Sequence, residues 1–303
     1  TLMRSSAASD VYKRQCTHIG PDKDFGPVIQ KALELGGYDE PHTIPGINGG
    51  TTMTTGFAQG TVLSVADWDG DGLPDIIINS IWGKIEWFRN LGGKDGLRLA
   101  PAQPVRVAWE GEAPKPAWNW WTPEPGTLVT QWRTTPVATD WNGDGLTDLI
   151  VLDQEGYLAY YERFRTPDGE LLLRPGRRIF HGTNCSLYNS RSGVANASEG
   201  LLRLNDGIGG QSGRRKICFT DWDGDGRLDL IVDSQNVCWF RNVREERGEV
   251  WYEYMGNVGE RILAGHTTCP TPIDWRGDGT PELLLGAEDG HFYRMANQQK
   301  QTR

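Results

Sequence analysis

The sequence predicts an all-β fold, a β-propeller of four-stranded blades, and three observations support this prediction. The 303 residues include 39 glycines and 17 prolines, a composition that favours many turns over long helices. One type of segment recurs four times along the chain, and short apolar runs of strand length flank each copy. Four-stranded antiparallel meanders that repeat in this way form the blades of propellers.

Composition also limits the possible partners. The net charge of −9 argues against nucleic acid, because phosphate binding needs a basic surface. No apolar run approaches the roughly 18 residues of a membrane-spanning helix, so we expect no membrane span. The cysteines show neither a CxxC pair nor the spacing of a zinc site, and the sequence leaves their pairing open: Cys16, Cys185, Cys218, Cys238 and Cys269.

The repeats define the expected domain organisation. Residues 1–15 are typical of a non-native prefix, and residues 16–60, which include the helix-like stretch PVIQKALELG, belong to no recognisable blade. We expect the propeller to occupy residues 61–303. The predicted blades cover residues 61–109, 129–174, 214–255 and 267–296, and the insertions cover residues 110–128 and 181–213.

The four copies read VADWDGDGLPDIII, ATDWNGDGLTDLIV, FTDWDGDGRLDLIV and PIDWRGDGTPELLL. Their first aspartates, which are separated by 73, 81 and 53 residues, are Asp67, Asp140, Asp221 and Asp274. This variable spacing indicates insertions between equivalent units. Each unit reads as strand, loop, strand, turn and strand, and a fourth strand is expected near Pro104–Trp109, Leu171–Arg174 (or Arg178–His181) and Glu249–Met255.

Acidic residues occupy positions 1, 3, 5 and 9 of the first and third loops, and the second loop differs only by an asparagine at position 3. Glycines lie between these positions. Calcium takes about six to eight oxygen ligands, and glycines allow alternate side chains of a tight loop to converge on one centre. The carbonyl at position 7 would add one more oxygen. The sequence therefore predicts about three Ca²⁺ sites, with the ligands Asp67, Asp69, Asp71, Leu73 and Asp75; Asp140, Asn142, Asp144, Leu146 and Asp148; and Asp221, Asp223, Asp225, Arg227 and Asp229.

Two alternatives to these calcium loops can be weighed. An EF-hand closes with a glutamate at position 12, whereas here that position lies in an apolar strand, so a helix–loop–helix is rejected. A turn without metal is opposed by the mutual repulsion of its carboxylates. The fourth loop departs from the pattern at Arg276, whose guanidinium could replace a cation, and its ligands would be Asp274, Asp278 and Glu282.

These loops resemble the FG-GAP and VCBS repeats, whose members carry D-x-D/N-x-D-G-x-x-D loops in calcium-binding propellers such as the integrin α-chain head. The resemblance implies a secreted, cell-surface or periplasmic protein that binds a glycan or an extracellular protein. It also implies that the four blades belong to a larger propeller of about seven. Some relatives of this kind are polysaccharide lyases or other carbohydrate-active enzymes.

The insertions are expected on the face of the propeller opposite the metal loops, where they offer candidate ligand contacts. Exposed tryptophans stack on sugar rings or anchor protein partners, although a hydrophobic plug would use the same residues. Arginines can pair with the carboxylate of an acidic sugar. The candidate ligand-binding residues are Trp118, Trp120, Trp121, Trp132, Arg133, His181, Tyr188 and Arg191.

Two functions are therefore open at this point. The first is a binding or adhesion module, and the alternative is a polysaccharide lyase or glycosidase that acts on acidic glycans. An acid–base mechanism would combine His181 or His266 with Tyr188, and Arg133 or Arg191 would neutralise a uronate carboxylate. No serine-hydrolase, zinc or nucleotide-binding motif is present in the sequence.

Overall fold

A computed structural model describes residues 42–43, 52–53, 62–80, 82–93, 98–117, 119, 121–189, 194–205, 215–234, 237–259, 268–286 and 292–297. Within these ranges every helix or strand assigned is a β-strand, which confirms the all-β class. The helix-like stretch predicted before residue 60 lies outside the described residues. No helix in the described part of the chain is long and apolar enough to cross a membrane.

The described residues divide into two compact units, here called the N-terminal unit (residues 42–178) and the C-terminal unit (residues 179–297). Each unit contains two of the four repeats. The N-terminal unit also has a short antiparallel pair, β1 (His42–Thr43) and β2 (Thr52–Met53).

The first repeat of the N-terminal unit forms a four-stranded antiparallel sheet in chain order: β3 (Val62–Ala66), β4 (Asp75–Asn79), β5 (Ile85–Phe88) and β6 (Gln103–Pro104). The register places Ala66 opposite Asp75, so the acidic loop closes the hairpin of the first two strands. The apolar run of β4 is buried on both faces because β4 is a central strand that packs on two sides.

The second repeat forms a three-stranded sheet: β7 (Val137–Thr139), β8 (Asp148–Leu152) and β9 (Leu158–Tyr161). A separate hairpin follows, with β10 (Arg163–Arg165) and β11 (Leu171–Leu173). The predicted fourth strand therefore pairs with β10, which begins just after β9, rather than with β9 itself.

The C-terminal unit contains the third and fourth repeats. Its strands are β12 (Phe180–Gly182), β13 (Tyr188–Asn189), β14 (Val194–Ala195), β15 (Gly200–Leu201), β16 (Ile217–Thr220), β17 (Asp229–Asp233), β18 (Val237–Glu246), β19 (Glu249–Asn257), β20 (Cys269–Ile273), β21 (Glu282–Gly286) and β22 (Phe292–Met295). The third repeat spans β16 to β19, and β20 to β22 form the fourth.

Two strands from the region predicted as an insertion extend the third sheet, which has the order β15-β12-β19-β18-β17-β16. β12 pairs in parallel with β19, with Phe180 opposite Val250. An edge strand leaves unpaired backbone groups, and β12 satisfies those of β19. This part of the insertion is therefore sheet rather than loop.

Neighbouring repeats share an apolar core within each unit. In the N-terminal unit Trp68 packs with residues of both repeats, including Ile77 and Val151, and in the C-terminal unit Trp222 packs with residues such as Leu283. Within each unit, the two repeats thus bury apolar residues against each other, as repeat architectures require. The equivalent Trp275 of the fourth repeat is 50% exposed, so the repeated tryptophan is not a core residue in every copy.

A polar contact to this tryptophan also joins neighbouring repeats. Arg163 of the second repeat is buried, its guanidinium lies 3.8 Å from the ring centre of Trp68, and its Nη2 donates to the Trp68 carbonyl at 3.1 Å. Burial lowers the pKa of Arg163 to about 10. In the C-terminal unit, Asn297 Nδ2 donates to the Trp222 carbonyl at 2.7 Å. The same backbone group thus receives a donor from the following repeat in both units.

Gly83 offers a test of the first repeat's packing. It has a φ of +71°, and a Cβ atom added there would lie 2.2 Å from the Thr130 carbonyl oxygen. Gly169 has a φ of +93°, and a Cβ atom added there would have open space within 4 Å. We expect Gly169→Ala to lower the free energy of unfolding by about 1–2 kcal/mol through backbone strain. Gly83→Ala should lose roughly 3 kcal/mol or more because a clash adds to that strain. Urea unfolding measures the free energy of unfolding of both variants, and equal decreases would contradict the close contact between Gly83 and Thr130.

Candidate metal centre

The first aspartate of each loop organises the loop around its own carboxylate. Asp67 Oδ1 accepts hydrogen bonds from the N–H groups of Gly70 and Asp71 at 2.9 and 3.0 Å, and Oδ2 accepts one from Gly72 at 2.8 Å. Both glycines have positive φ angles, +80° and +85°, which favour glycine. Asp140 makes the same three bonds in the second loop. The Asp-Gly spacing thus produces a tight loop that is closed by one side chain.

The aspartate at position 9 also accepts backbone hydrogen bonds, a role that the sequence did not indicate. Asp75, Asp148 and Asp229 begin the second strand of their repeats and are fully buried. Asp75 Oδ2 accepts the N–H of Trp68 at 2.9 Å, and Oδ1 accepts the N–H of Asn90 at 2.7 Å. Asp148 and Asp229 accept the equivalent pairs of N–H groups. Each carboxylate therefore joins the loop to the end of the third strand.

This burial changes the proton affinity of the carboxylates. It raises the pKa of Asp75 to about 6 and that of Asp229 to about 6, although backbone hydrogen bonds oppose the change. Burial also raises the pKa of Asp148. The nearby charges of Asp69 and Asp71 add to the effect at Asp75. A cation in the loop would favour the ionised form of each of these groups.

Two of the loops bring three carboxylates together. One ligand oxygen each from Asp67, Asp69 and Asp71 lie within 4.8 Å of one another, and the same holds for the third loop, with Asp221, Asp223 and Asp225. This separation allows several carboxylates to contact one cation, and their oxygens are the ligands that calcium prefers. The first and third loops therefore have the geometry of a candidate metal centre.

The third loop provides a test of whether its residues fit a cation. Asp221 Oδ2 accepts the N–H of Gly226 at 3.1 Å, whereas Oδ1 is buried and has no hydrogen-bond partner. A buried carboxylate oxygen without a donor is costly, and a bound cation would satisfy it. The residues present therefore fit Ca²⁺, which Asp221, Asp223 and Asp225 would hold. The bound ion would supply positive charge that links the three carboxylates.

The second and fourth loops differ in charge. Asn142 Nδ2 donates to Asp144 Oδ2 at 3.0 Å, so a neutral amide replaces one carboxylate in the second loop. In the fourth loop the buried Glu282 pairs with Arg294 and, at 3.2 Å, with Nε of Arg276. The hydrogen bonds from Arg294 hold the pKa of Glu282 below its usual range. The guanidinium groups thus neutralise the acidic residue at position 9 of this loop.

Three of the predicted ligand residues in the N-terminal unit are described, and they make two separate sets of contacts. Trp121 Nε1 donates to the Trp82 carbonyl at 2.9 Å, and Lys84 Nζ lies 4.8 Å from the centre of the Trp121 ring. Arg133 has a φ of +58°, and its guanidinium lies 5.9 Å from the Trp132 ring. The other two predicted tryptophans lie outside the described residues: Trp118 and Trp120.

In the C-terminal unit His181 contacts residues that sequence reasoning missed. Its Nε2 pairs with a carboxylate oxygen of Glu249, and its ring stacks on Trp251 with centroids 4.9 Å apart. The Arg244 guanidinium lies 3.8 Å from the same indole ring. Strand pairing brings these residues together across almost 70 positions of the chain, and no local motif signals such a pairing.

Tyr188, which the sequence suggested as a ligand contact, lies in the core. It is 1% exposed, its hydroxyl lies 2.7 Å from Cys238 Sγ, and its ring packs edge-on against Phe240. Burial raises its pKa well above the usual range. His181 and Tyr188 therefore have separate partners. Two other candidates lie outside the described residues: Arg191 and His266.

The fold and the loops define a class of protein: a β-repeat protein in which an acidic loop, of the kind that can bind a metal ion, joins the first two strands of each repeat. A family model described as "FG-GAP-like repeat" matches residues 67–151 and 221–285, which begin at the first aspartates of the first and third loops. The chain belongs to the FG-GAP repeat family.

A curated relative is similar to part of the chain. A hydroxylamine reductase of Thermodesulfovibrio yellowstonii (strain ATCC 51303 / DSM 11347 / YP87) is 43% identical over 94 residues. The similarity covers 31% of this chain and 15% of that protein, so the chain spans a small part of the relative's length.

Calcium removal tests the metal centre. A site occupied at about 100 times its Kd stabilises the folded state by about 2.7 kcal/mol, so excess EDTA should lower Tm by roughly 5–10 °C, reversibly. Asp221→Asn should reduce the number of bound Ca²⁺ ions in a calorimetric titration. Asp168→Asn, an exposed turn substitution with the same charge change, should leave that number unchanged. Unchanged melting in EDTA, with no calcium bound to the wild type, would contradict the centre.

The raised pKa values predict an unusual pH dependence without metal. The folded carboxyl of Asp75 holds its proton up to a pH of about 6, whereas an unfolded aspartate releases it near 3.8. The folded state then binds more protons between these values, so stability falls as the pH rises through this window. In EDTA, wild type should lose roughly 2–3 kcal/mol relative to Asp75→Asn between pH 4 and 7. Urea unfolding across this range measures the difference, and a constant difference would argue against the raised pKa.

Proposed function

We propose that this chain is a calcium-stabilised β-propeller module that binds an extracellular ligand, either a glycan or a protein. The observation that supports it most strongly is the recurrence of the acidic loop at the same place in every repeat of an FG-GAP family member. A loop repeated in this way stabilises the scaffold, because an active site is needed only once. We therefore propose that the metal stabilises the fold and that the ligand binds to another surface.

Calcium also bears on the proposed location. Extracellular modules bind this ion with Kd values of about 10⁻⁴–10⁻³ M, which suit the millimolar calcium outside cells. FG-GAP repeats are typical of extracellular proteins. We therefore place the protein outside the cytoplasm, on the cell surface, in the secreted fraction or in the periplasm. The net charge of −9 does not favour nucleic acid as the ligand.

The cluster of Trp82, Lys84 and Trp121 supports a ligand surface in the N-terminal unit. The hydrogen bond from Trp121 to the Trp82 carbonyl fixes the orientation of one indole, and Lys84 brings a positive charge to its ring. An oriented indole can stack on the apolar face of a sugar, and an ammonium group can pair with a uronate carboxylate. An acidic glycan matches both groups.

A polysaccharide panel tests this proposal. With calcium present, we expect uronate-containing polymers to bind more tightly than neutral ones and to stay intact in mass spectrometry. Trp121→Ala should weaken binding by roughly tenfold, about the 1.4 kcal/mol that one stacking contact supplies. The control is Trp275→Ala, a half-exposed tryptophan of the C-terminal unit outside the cluster.

The outcomes of this panel separate the candidate functions. Shortened products would show an enzyme of the lyase or glycosidase type instead. Binding that is lost equally in both tryptophan variants would contradict the assignment to the Trp121 cluster. If the chain binds no polysaccharide of the panel but binds an extracellular protein, the ligand is a protein rather than a glycan.

A further inference from the structure

An arginine at the end of the third strand contacts the acidic loop of the first repeat. Arg89 Nε lies 2.5 Å from Asp69 Oδ2, and its Nη2 donates to Asp71 Oδ2 at 3.0 Å. The guanidinium thus pairs with the carboxylates at positions 3 and 5, two of the predicted calcium ligands. A guanidinium is always protonated in proteins, so Arg89 brings a full positive charge to the loop.

The third repeat contains an equivalent arginine, and its loop has a second one, because Arg227 Nη2 lies 2.5 Å from Asp225 Oδ2. Arg241 Nε lies 2.7 Å from Asp223 Oδ2, and Nη2 lies 3.8 Å from Asp225 Oδ2. The two arginines occupy equivalent places, since each immediately precedes the residue whose N–H binds the position 9 aspartate. Both belong to a WFRN sequence, at residues 87–90 and 239–242, which is the sequence signal that could have identified them.

The other two repeats show that the arginine follows the charge of the loop. The second loop has Asn142 at position 3, and the equivalent of Arg89 is Glu162, which pairs with Arg174 at 3.1 Å. The fourth loop carries Arg276 at position 3, and the equivalent residue is Ala296. At this position, therefore, an arginine is present only in the two repeats whose loops bring three carboxylates together. Comparison of the four repeats thus links the arginine at this position to the negative charge of the loop.

We propose that Arg89 and Arg241 are internal counter-cations that compete with calcium for the first and third loops. This inference rests on the proposed function, because it assumes that the loops bind Ca²⁺. In the metal-free protein the guanidinium offsets the repulsion among the carboxylates and keeps the loop folded. Calcium entry then requires each arginine to release the oxygens at positions 3 and 5.

The exposure of the two side chains makes this release feasible. Arg89 is 44% exposed and Arg241 35% exposed, whereas their aspartate partners are 10–26% exposed. An exposed ion pair contributes little stability, so the arginine can move into solvent at small cost. The arginines thereby lower calcium affinity without abolishing binding. The lower affinity means that the first and third loops fill with calcium only where its concentration is high.

The test compares Arg89→Gln and Arg241→Gln with wild type in the full chain. Each variant should bind one Ca²⁺ roughly two- to fivefold more tightly in calorimetric titration, because an exposed ion pair opposes binding only modestly. Each should also melt at a slightly lower temperature than wild type in EDTA. In saturating calcium the melting temperatures should match that of wild type or exceed it. The control is Arg174→Gln, which removes the same charge from the pair with Glu162 in the second repeat.

The outcomes distinguish this inference from the calcium proposal itself. If wild type binds Ca²⁺ and both arginine variants bind it with the same affinity, the inference is overturned and the calcium proposal stays intact. The same holds if Arg174→Gln changes the affinity as much as the two variants do. Weaker binding in the variants would also overturn it, because the arginines would then support the bound state. Absence of binding in every protein would overturn both. Binding that is detected only in the arginine variants would support the competition.

Discussion

The buried carboxylate at position 9 is the interaction on which each repeat depends. Asp75, Asp148 and Asp229 each accept one N–H from the acidic loop and another from the end of the third strand. Hydrogen bonds to an ionised group contribute about 1.5–3 kcal/mol each, and loss of the acceptor would leave two N–H groups unpaired. One side chain thus sets the geometry of two strands and a loop, and the candidate metal centre is a consequence of that geometry.

Much of this could be predicted from sequence because the information is local. The strand–loop–strand order and the acidic clusters follow from residue types a few positions apart, which is why the clusters that contain Asp67 and Asp221 could be located from the sequence alone. The double hydrogen bond of Asp75 was not predictable, because one of its donors lies 15 residues away. The pairing of β12 with β19 joins positions about 70 residues apart, a distance at which sequence patterns carry no register information.

Equivalent residues in the repeats do not have equivalent surroundings. Trp68 and Trp222 are buried in cores shared with the following repeat of their unit, whereas Trp275 is half exposed. The repeated sequence determines the hairpin, but the neighbouring sheet determines what the hairpin packs against. The same distinction explains Tyr188, which a loop-like sequence suggested as a surface residue and which the added strands bring into the core.

The contact between Arg163 and Trp68 has a consequence for how such a chain can evolve. Asn90, Asn242 and Asn297 are the counterparts of Arg163, and only Arg163 combines a long, charged side chain with a neighbour's indole and carbonyl. The second repeat is therefore adapted to follow the first. Duplication or recombination of single repeats would separate such matched surfaces, so selection should favour the exchange of adjacent repeats as pairs.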